Sequence, residues 1–460
     1  MQDDLLPIDH LFAQKFLPQG PAKASFFLAS LLKSAREGHL CISLDHFSDH
    51  NIHEGAAELP PWIFEKVLVK EGNRYYLKRN WECEQLFLKH LKRLKEQKPA
   101  LEIPIEWLNQ ELEKTALNRE QKQAIQRAAS RSLTLITGGP GTGKTFTAAT
   151  LIRLFHERGA HEIIVAAPTG KATANMRHSL GELAEKCTLK TLHALLTKKK
   201  LHADLIVVDE GSMVDAERMA SLLSAVKEGS RLILLGDKDQ LPPIESGNFF
   251  ADLAQEADLV AELHTCLRTE LQEIIELAQK VRIGISIPTK PLPDVKTLLR
   301  LIIESKMHVL TPLRKGPYGV EQLNQQLFRE HRKKGDKNIP IMIMVNDPYS
   351  QLFNGDVGML VPEEKCAYFP GGRKIPEYLL PRYEFAYVLS VHKSQGSEYE
   401  KVMILLPPGS EAFGREMLYT ALTRAKRGLA IYSQPGILEA LVKNSFHRTS
   451  RFNVNNNLLL

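Results

Sequence analysis

The segment GGPGTGKT at 138–145 limits the possible folds of this chain more than any other part of the sequence. It has the spacing G-x-x-x-x-G-K-S/T, follows the apolar run LTLIT and precedes residues with helical spacing. In that setting a glycine-rich turn surrounds phosphate groups with backbone N–H groups, and the dipole of the following helix favours their negative charge. The predicted nucleotide-binding residues of this loop are Gly138, Gly139, Pro140, Gly141, Thr142, Gly143, Lys144, Thr145 and Phe146.

Apolar strands, turns and helices alternate from about residue 114 onward. A first set of short and nearly all-apolar runs is at 133–137, 162–168, 205–210 and 231–237. A second set is at 307–313, 401–407 and 428–433. Such runs are typical of strands in a parallel sheet that helices cover on both faces. The pattern predicts an α/β fold with two domains built on parallel sheets.

The remaining segments predict smaller units. Residues 341–385 contain short β-like runs and the turns NGD and PGG, which indicates a small β-barrel inserted into the second domain. Residues 1–113 predict a mainly helical N-terminal domain that ends in the proline-spaced linker PALEIPIEW. The predicted domain boundaries are 1–113, 114–262, 263–340 with 386–446, the insertion at 341–385 and a tail at 447–460.

Composition and charge narrow the class of protein. The 460 residues carry a net charge of +6, a mild basic excess that is compatible with a nucleic-acid partner. The start MQDDLLPIDHLF lacks the apolar core of a signal peptide, and no run of about 18 apolar residues predicts a membrane span. The five cysteines are too far apart for a CxxC pair, and scattered thiols favour the reducing cytoplasm.

ATP and Mg²⁺ are the expected ligands of the phosphate-binding loop. Lys144 is expected to reach the β- and γ-phosphates, and the Thr145 hydroxyl to hold Mg²⁺. The third apolar run ends in Asp209 and Glu210. Asp209 is a candidate Mg²⁺ ligand, and Glu210 a candidate base that activates water for attack on the γ-phosphate. The alternative is a pair of solvated carboxylates that simply follow a strand.

The stretch RLILLGDKDQLPPI at 231–244 brings polar residues to the end of a buried strand. Ligands of doubly wound sheets bind at the carboxyl ends of the strands. Gln240 carries a neutral amide, which both donates and accepts hydrogen bonds. It is therefore a candidate sensor that contacts a γ-phosphate oxygen and the attacking water. The alternative is an ordinary polar loop.

Together these motifs resemble the superfamily 1 helicases, specifically their RecD-like branch, over about 115–435. The matching segments are LNREQKQAI (117–125, Q motif), APTGKATANM (167–176, motif Ia), TLH (191–193, motif Ib), VVDEGSM (motif II), GDKDQLPPI (motif III), VHKSQGSEY (391–399, motif V) and LYTALTRAKR (418–427, motif VI). The resemblance implies two RecA-like domains that share one ATP, with an SH3-like barrel inserted in the second. It also implies an ATP-dependent DNA helicase that translocates 5′→3′ on single-stranded DNA.

Motifs V and VI, with GHLCISL and YYLKRNWECE near the N-terminus, are most similar to the alpha subunits of exonuclease V, or RecBCD, complexes. This similarity implies RecB- and RecC-like partners that contact the N-terminal domain, duplex-end DNA as substrate, and a role in double-strand break repair and recombination. Paired carboxylates followed by a lysine are absent outside the ATP motifs, so a nuclease activity is expected in the partners only.

The resemblance also assigns roles to single residues. Gln121 is implied to contact adenine, and Gln395 to reach the phosphates or connect them with DNA. Arg424 and Arg268 are implied to reach the γ-phosphate from the second domain, where a guanidinium stabilises transition-state charge. The implied DNA-binding residues, which contact phosphates without reading bases, are Thr169, Lys171, Thr191, His193, His392, Lys393 and Ser394. An interior position for His193 is an equally open alternative.

Some features depart from the family pattern. Ten residues separate His193 from Asp204, where RecD relatives often carry a longer strand-splitting pin, so unaided unwinding is not predicted. A free-standing RecD-like helicase and a non-motor regulatory subunit are the alternative functions, and an RNA helicase relative is a further one. The direction of translocation comes from the resemblance alone.

Overall fold

The fold is described from a computed structural model of the chain. It describes residues 5–46, 49–198, 200–267, 272–333, 338–347, 349–445 and 448–450. Within these residues the chain forms an N-terminal unit, two parallel sheets flanked by helices, and one inserted antiparallel sheet. The predicted α/β fold class is therefore confirmed. No described helix has the length and apolar character of a membrane span.

The N-terminal unit combines helices with a small antiparallel sheet. Its helices are α1 (Pro7–Phe16), α2 (Ala22–Arg36), α3 (His50–Ala57) and α4 (Ile63–Lys66). Its strands are β1 (Cys41–Ser43), β2 (Leu68–Glu71) and β3 (Arg74–Leu77), in the order β1-β3-β2. Phe27, Ile52 and Tyr75 are among the buried side chains of its own core, so the mainly helical N-terminal unit expected from the sequence is present.

Two helices, α5 (Lys78–Glu96) and α6 (Ile105–Glu113), follow this unit but pack elsewhere. Phe87 of α5 is fully buried in the core of the first parallel sheet, where its ring stacks on that of Phe249 at a centroid distance of 3.8 Å. Leu108 of α6 is buried in a second core of the same sheet. Helix α5 therefore packs on the first α/β domain, and the last residues of the expected linker begin α6.

The first parallel sheet carries the phosphate-binding loop. Its strands are β4 (Leu133–Gly138), β5 (Ile163–Ala167), β6 (Thr188–Thr191), β7 (Leu205–Val208), β8 (Arg231–Gly236) and β9 (Val260–Leu263), in the order β6-β5-β7-β8-β4-β9. The helices of this domain are α7 (Arg119–Ser130), α8 (Lys144–Glu157), α9 (Gly170–Leu180), α10 (Leu192–Leu195), α11 (Ala216–Ala225) and α12 (Phe249–Leu253). All its strand pairs are parallel, so the carboxyl ends of β7, β8 and β4 lie side by side.

The described residues from 272 onward form a second parallel sheet and the insertion. The helices of this part of the chain are α13 (Gln272–Arg282), α14 (Val295–Ser305), α15 (Val320–Lys333), α16 (Gly414–Leu422) and α17 (Ile437–Lys443). Its strands are β10 (Lys290–Pro291), β11 (His308–Thr311), β12 (Ile339–Ile343), β13 (Val357–Val361), β14 (Cys366–Phe369), β15 (Arg373–Pro376), β16 (Tyr383–Phe385), β17 (Val388–Ser390), β18 (Tyr399–Leu406) and β19 (Ala425–Ser433).

These strands separate into two sheets. The second parallel sheet has the order β10-β19-β18-β11-β17. The inserted sheet is antiparallel and has the order β15-β14-β13-β12-β16. Its first three strands in sequence overlap the runs that indicated an inserted β unit, and its SH3-like form stays a prediction.

Candidate active site

The phosphate-binding loop joins the carboxyl end of β4 to the N-terminus of α8. Gly141 and Gly143 have φ values of 73° and 78°, a left-handed conformation that favours glycine. Gly143 precedes α8 and supplies no side-chain cap, so the first N–H groups of the helix are left for a ligand. Both features fit a bound phosphate group.

The Lys144 ammonium folds back onto this loop. Its Nζ donates to the carbonyl oxygens of Gly138 at 2.5 Å and Gly139 at 3.1 Å. Thr145 is half-buried next to it, whereas the ring of Phe146 is 52% exposed. Lys144 would therefore have to exchange two carbonyl oxygens for phosphate oxygens when a nucleotide binds.

Gln121, at the start of α7, contacts the same loop. It is fully buried, and its Nε2 donates to the carbonyl oxygen of Thr142 at 3.0 Å. Its Oε1 accepts from the N–H of Asn118 at 3.0 Å, and the Asn118 side chain accepts from the N–H of Gln121 at 2.9 Å. This reciprocal pair is a capping box. In this structure the Gln121 amide bonds to backbone groups of Asn118 and Thr142. Its implied contact with adenine stays a prediction.

The segment that leaves β9 for the second domain is held against the loop. The Glu120 carboxylate accepts from the backbone N–H groups of His264 at 2.9 Å and Thr265 at 3.0 Å. The N–H of Leu267 then donates to the carbonyl oxygen of Gly141 at 2.9 Å. The connection between the two α/β domains is therefore attached to the nucleotide site itself. Sequence reasoning missed Glu120, because a single glutamate near a helix start carries no distinguishing signal.

The two carboxylates that follow β7 lie close to the loop. Burial and the neighbouring charge of Glu210 raise the pKa of Asp209 from 3.8 to about 7, and the charge of Lys144 opposes this shift. Glu210 has a φ of 53°, which is uncommon for a residue other than glycine and is frequent at functional sites. The sheet thus brings Asp209 into electrostatic range of Lys144, and the roles expected for Asp209 and Glu210 stay predictions.

Thr145 and Asp209 fit a Mg²⁺ ion, because both offer the hard oxygen atoms that this ion prefers. Among the residues that the structure describes, no group of three or more His, Cys, Asp and Glu side chains is arranged for a metal. Mg²⁺ commonly takes the rest of its ligands from water and from the phosphates of the substrate. Thr145 and Asp209 would hold the ion, and the chemistry that it would supply there is compensation of the negative charge that develops during phosphoryl transfer.

Asp209→Asn is expected to raise the thermal stability of the protein when EDTA is present and nucleotide is absent. The pKa of Asp209 is higher in the folded protein than in the unfolded chain, so protonation of this carboxyl stabilises the fold. This stabilisation is complete below pH 3.8, the ordinary pKa, and is lost as the pH rises through about 7. At about pH 8 the ionised wild-type carboxylate therefore destabilises the fold, on the order of 4 kcal/mol, and asparagine removes this cost. Melting curves at about pH 8 and pH 6 should show a gain that shrinks at the lower pH.

The control for this experiment is Asp258→Asn, which changes an exposed aspartate on the same domain. This variant should show no pH-dependent gain in melting temperature. An equal gain for Asp209→Asn at both pH values would contradict the proposed cost of ionising Asp209.

The residues after β8 meet the second domain. The Nε2 of Gln240 donates to Oδ2 of Asp237 at 3.2 Å, and the Oε1 of Gln240 is buried with no hydrogen-bond partner among the described residues. The N–H of Leu241 donates to the Thr420 hydroxyl of α16 at 2.8 Å, and its carbonyl oxygen accepts from Nε2 of Gln395 at 3.3 Å. The structure therefore places Gln395 against the residue that follows Gln240, and the Oε1 of Gln240 is an acceptor of the kind that a bound water needs.

A cavity next to the phosphate-binding loop is lined by both α/β domains. The residues that line it are Thr137, Gly138, Gly139, Pro140, Thr142, Asp237, Asp239, Glu262, Leu263, His264, Cys266, Ile275, Ala278, Gln279, Arg282 and Tyr419. Arg282, at the end of α13, donates to Oδ2 of Asp239 at 3.2 Å. Sequence reasoning missed Arg282, which has no motif around it, and Tyr419, which lay within a matched motif but was given no role.

Arg424 does not line this cavity in the present conformation. It is 4% exposed, and its guanidinium donates to the carbonyl oxygens of Thr420 at 3.0 Å and Ser397 at 3.1 Å. It thus holds motif V against motif VI within the second domain. Arg268, the other arginine that the resemblance implies, lies outside the described residues.

The start of α9 faces motif V and the inserted sheet. Thr169 caps α9 by accepting from the N–H of Ala172 at 3.1 Å, and Nζ of Lys171 donates to the Ser397 hydroxyl at 2.7 Å. Burial lowers the pKa of Lys171. A Cβ at Gly170 would lie 2.3 Å from the ring of Phe353. Motif Ia and motif V therefore converge, as expected for a shared strand path, but they touch each other here.

His392 and Lys393 border a groove in the second domain, whereas Ser394 does not. Ser394 is fully buried and donates to the carbonyl oxygen of Val391 at 2.7 Å. Lys393 is exposed and forms an ion pair with Glu384 at 3.0 Å. The groove is lined by Ile244, Pro312, Arg314, Val320, Glu321, Asn324, Gln325, Tyr383, Glu384, Phe385, Ser390, His392 and Lys393.

Thr191 and His193 lie at a different place. Thr191 caps α10 by accepting from the N–H of Ala194 at 3.3 Å. His193 is exposed and lines a cavity that also contains Arg79 and Asn80 of α5. The interior alternative for His193 therefore does not hold in this structure, and its contact with DNA stays a prediction.

Family models match two parts of the chain. Residues 116–289 match the AAA domain, and residues 385–432 match the UvrD-like helicase C-terminal domain. The chain is 29% identical to the RecBCD enzyme subunit RecD of Mycolicibacterium smegmatis, over 93% of each protein. It is 30% identical to the RecBCD enzyme subunit RecD of Mycobacterium tuberculosis, over 72% of each. Among solved structures, the crystal structure of the Pif1 helicase from Candida albicans matches 73% of this chain and 97% of that chain, with 18% identity and a TM-score of 0.48.

Proposed function

This chain belongs to the RecD family of ATP-dependent DNA helicases, and from that premise we propose that it moves 5′→3′ along single-stranded DNA as a motor subunit of a RecBCD-type complex. RecB- and RecC-like subunits are its partners in this proposal, and nuclease activity is theirs. The process that it serves is the handling of duplex ends in double-strand break repair and recombination. The observation that carries the proposal is the cavity at the phosphate-binding loop, which side chains of both α/β domains line.

In this proposal, residues of the phosphate-binding loop and of the segments that follow β7 and β8 carry out hydrolysis, and contacts with the second domain make it depend on both domains. The loop and Lys144 bind the phosphates, Glu210 accepts a proton from the attacking water, and the free Oε1 of Gln240 orients that water. Contacts of Leu241 with Thr420 and Gln395 connect this site to the second domain. A change at the γ-phosphate therefore alters the contact between the domains, and alternating contact moves the protein along a strand.

The groove at motif V supplies features that a single strand needs. Arg314 and Lys393 line it, each in an ion pair with a glutamate of the same groove, Glu321 at 2.6 Å and Glu384 at 3.0 Å. Both cations would exchange these carboxylates for DNA phosphates, and Phe385 offers an aromatic ring. Ile244 is 74% exposed at its border. Proteins that bind single strands without reading sequence combine backbone charge with stacking or apolar contacts to bases. Lys171 and Ser397 would separate to complete the path when a strand enters.

The N-terminal unit offers a surface for a protein partner. Leu6, Ile8 and Leu11, at the start of α1, are 47%, 52% and 59% exposed. Ile8 and Leu11 are three residues apart on α1 and therefore share one face of the helix, and an exposed apolar patch of this kind marks a candidate site for a protein partner. We assign this surface to the RecB- or RecC-like subunit.

Cys41, Cys83, Cys187 and Cys366 are free thiols, which suits a location in the cytoplasm.

Single-stranded DNA is expected to stimulate ATP hydrolysis by the purified chain several-fold. The test compares ATPase rates without nucleic acid, with single-stranded DNA and with single-stranded RNA. Partial duplexes with a 5′ or a 3′ single-stranded tail then test direction, and only the 5′-tailed substrate should be unwound or cleared of a bound block. Absence of DNA stimulation would contradict the motor function, and greater stimulation by RNA would favour the RNA helicase alternative.

Co-purification distinguishes the complex subunit from a free-standing helicase. The tagged chain, expressed in its native host, is expected to retain two large partner subunits. Replacing Ile8 and Leu11 with serine should release them and leave DNA-stimulated ATPase activity unchanged. Recovery of the active chain without partners would favour a free-standing RecD-like helicase.

A further inference from the structure

Tyr419 joins the two α/β domains at a single carboxylate. It lies on α16 of the second domain and is 6% exposed. Its hydroxyl donates to Oδ2 of Asp237, which follows β8 of the first domain, at 3.0 Å. The same oxygen atom accepts from Nε2 of Gln240 at 3.2 Å. One carboxylate oxygen therefore connects a tyrosine of one domain with the candidate water-orienting glutamine of the other.

The tyrosine hydroxyl also lies against the phosphate-binding loop. A Cβ added at Gly139 would be 3.1 Å from the hydroxyl oxygen of Tyr419. Both Tyr419 and Asp237 line the cavity beside this loop. The contact between the domains is thus made at the nucleotide site and not at a distance from it.

Asp237 is held on both of its oxygen atoms. It is 1% exposed, and its Oδ1 accepts from the N–H of Asp239 at 3.1 Å. Its Oδ2 has Tyr419 and Gln240 as donors. Burial and the negative charge of Asp237 raise the pKa of Tyr419, so the hydroxyl stays protonated and donates at neutral pH. Hydrogen bonds to a charged acceptor are stronger than neutral ones.

We propose that Tyr419 is a positioning residue for ATP hydrolysis, which acts through Asp237 to fix the amide of Gln240 only while the two α/β domains are in contact. This inference rests on the proposed motor function. When the domains separate, Asp237 loses the hydroxyl and the amide of Gln240 gains freedom to rotate. Hydrolysis then depends on contact between the two domains, because the water-orienting amide is fixed only while the Tyr419 hydroxyl reaches Asp237.

Tyr419→Phe removes one hydroxyl and keeps the buried ring. We expect kcat for DNA-stimulated ATP hydrolysis to fall about 10-fold or more, because the lost bond is to a carboxylate. The KM for ATP should stay within about twofold, because the hydroxyl orients Gln240 and does not bind the substrate. Tyr318→Phe is the matched control, since it removes a hydroxyl that donates to the carbonyl oxygen of Pro293 at 3.0 Å elsewhere in the second domain.

A double-mutant cycle with Gln240→Ala separates positioning from a general structural role. Once Gln240 is absent, Tyr419→Phe should lower kcat by less than about twofold further. A full additional loss in that background would overturn the proposal, and so would a normal kcat for Tyr419→Phe alone. If the wild-type chain shows no DNA-stimulated ATPase activity, the motor function itself fails, and the inference fails with it. If the wild-type chain shows DNA-stimulated ATPase activity and Tyr419→Phe has the same kcat, the role of Tyr419 is overturned and the motor function stands.

Discussion

Lys144→Ala is expected to lower kcat for DNA-stimulated ATP hydrolysis by about 10²–10³-fold, the usual cost of removing one charge-stabilising donor from an active site. In the structure the ammonium is bound by the carbonyl oxygens of Gly138 and Gly139, inside the loop that is to receive the phosphates. It is the one positively charged group within the 138–146 loop. Without it, charge that develops on the γ-phosphate loses its nearest compensation from the protein.

The measurement is the steady-state ATPase rate with saturating single-stranded DNA. Lys186→Ala is the control, because it removes an exposed lysine from the same domain and should leave the rate unchanged. Melting temperatures of both variants should match that of the wild type. An Lys144→Ala variant that keeps more than about a tenth of the wild-type rate would show that the loop is not the hydrolytic site.

The residues that could be predicted from sequence share one property: they follow directly on buried parallel strands. β4, β7 and β8 are buried at every position, so their apolar runs stand out from the surrounding sequence. Lys144, Asp209 and Gln240 come within a few residues of the ends of these strands. Because parallel strands present their carboxyl ends at one edge, linear order alone was enough to assign the three to that edge of the sheet.

Residues on helices of the second domain could not be placed in the same way. Arg282 and Tyr419 reach the cavity only because the second domain docks against the first. No local pattern specifies that docking, and a tyrosine on an apolar helix face has the same appearance as an ordinary core residue. Arg424 shows the reverse case, since its motif was recognisable while its hydrogen bonds to Ser397 and Thr420 were not.

Amphipathic helices raised a related difficulty. The apolar residues of α5 recur at helical spacing, which indicates that the helix has a buried face but not which surface covers it. Phe87 packs on Phe249 of the first α/β domain, so α5 extends the core of that domain and not that of the N-terminal unit. In the inserted sheet, β15 and β16 were missed, because RKIP and YEF carry too few apolar residues to be distinguished from loops.

Arg424→Ala is expected to lower kcat by about 10³-fold or more, as loss of an arginine that stabilises transition-state charge from a neighbouring domain does. The guanidinium now donates to Thr420 and Ser397, so it has to leave at least one of these carbonyl oxygens as the cleft closes on ATP. Arg424→Lys should restore little activity, because an ammonium cannot replace the planar fork of donors. Binding of a fluorescent ATP analogue should persist in both variants.

A purely structural role for Arg424 predicts a different result. Removing the guanidinium takes its donor from the Ser397 carbonyl oxygen, at a cost of about 1–3 kcal/mol, whereas the Thr420 carbonyl oxygen still accepts from the Thr423 hydroxyl at 2.9 Å. The melting temperature would then fall while kcat of the folded fraction would stay near the wild-type value. Arg427→Ala controls for the removal of an exposed arginine from the same segment.

If Arg424→Ala is destabilised but active, Arg282 becomes the arginine that acts across the cleft, because it already lines the cavity beside the phosphate-binding loop. Arg282→Ala would then show the large loss of kcat, with Asp239 left without its partner.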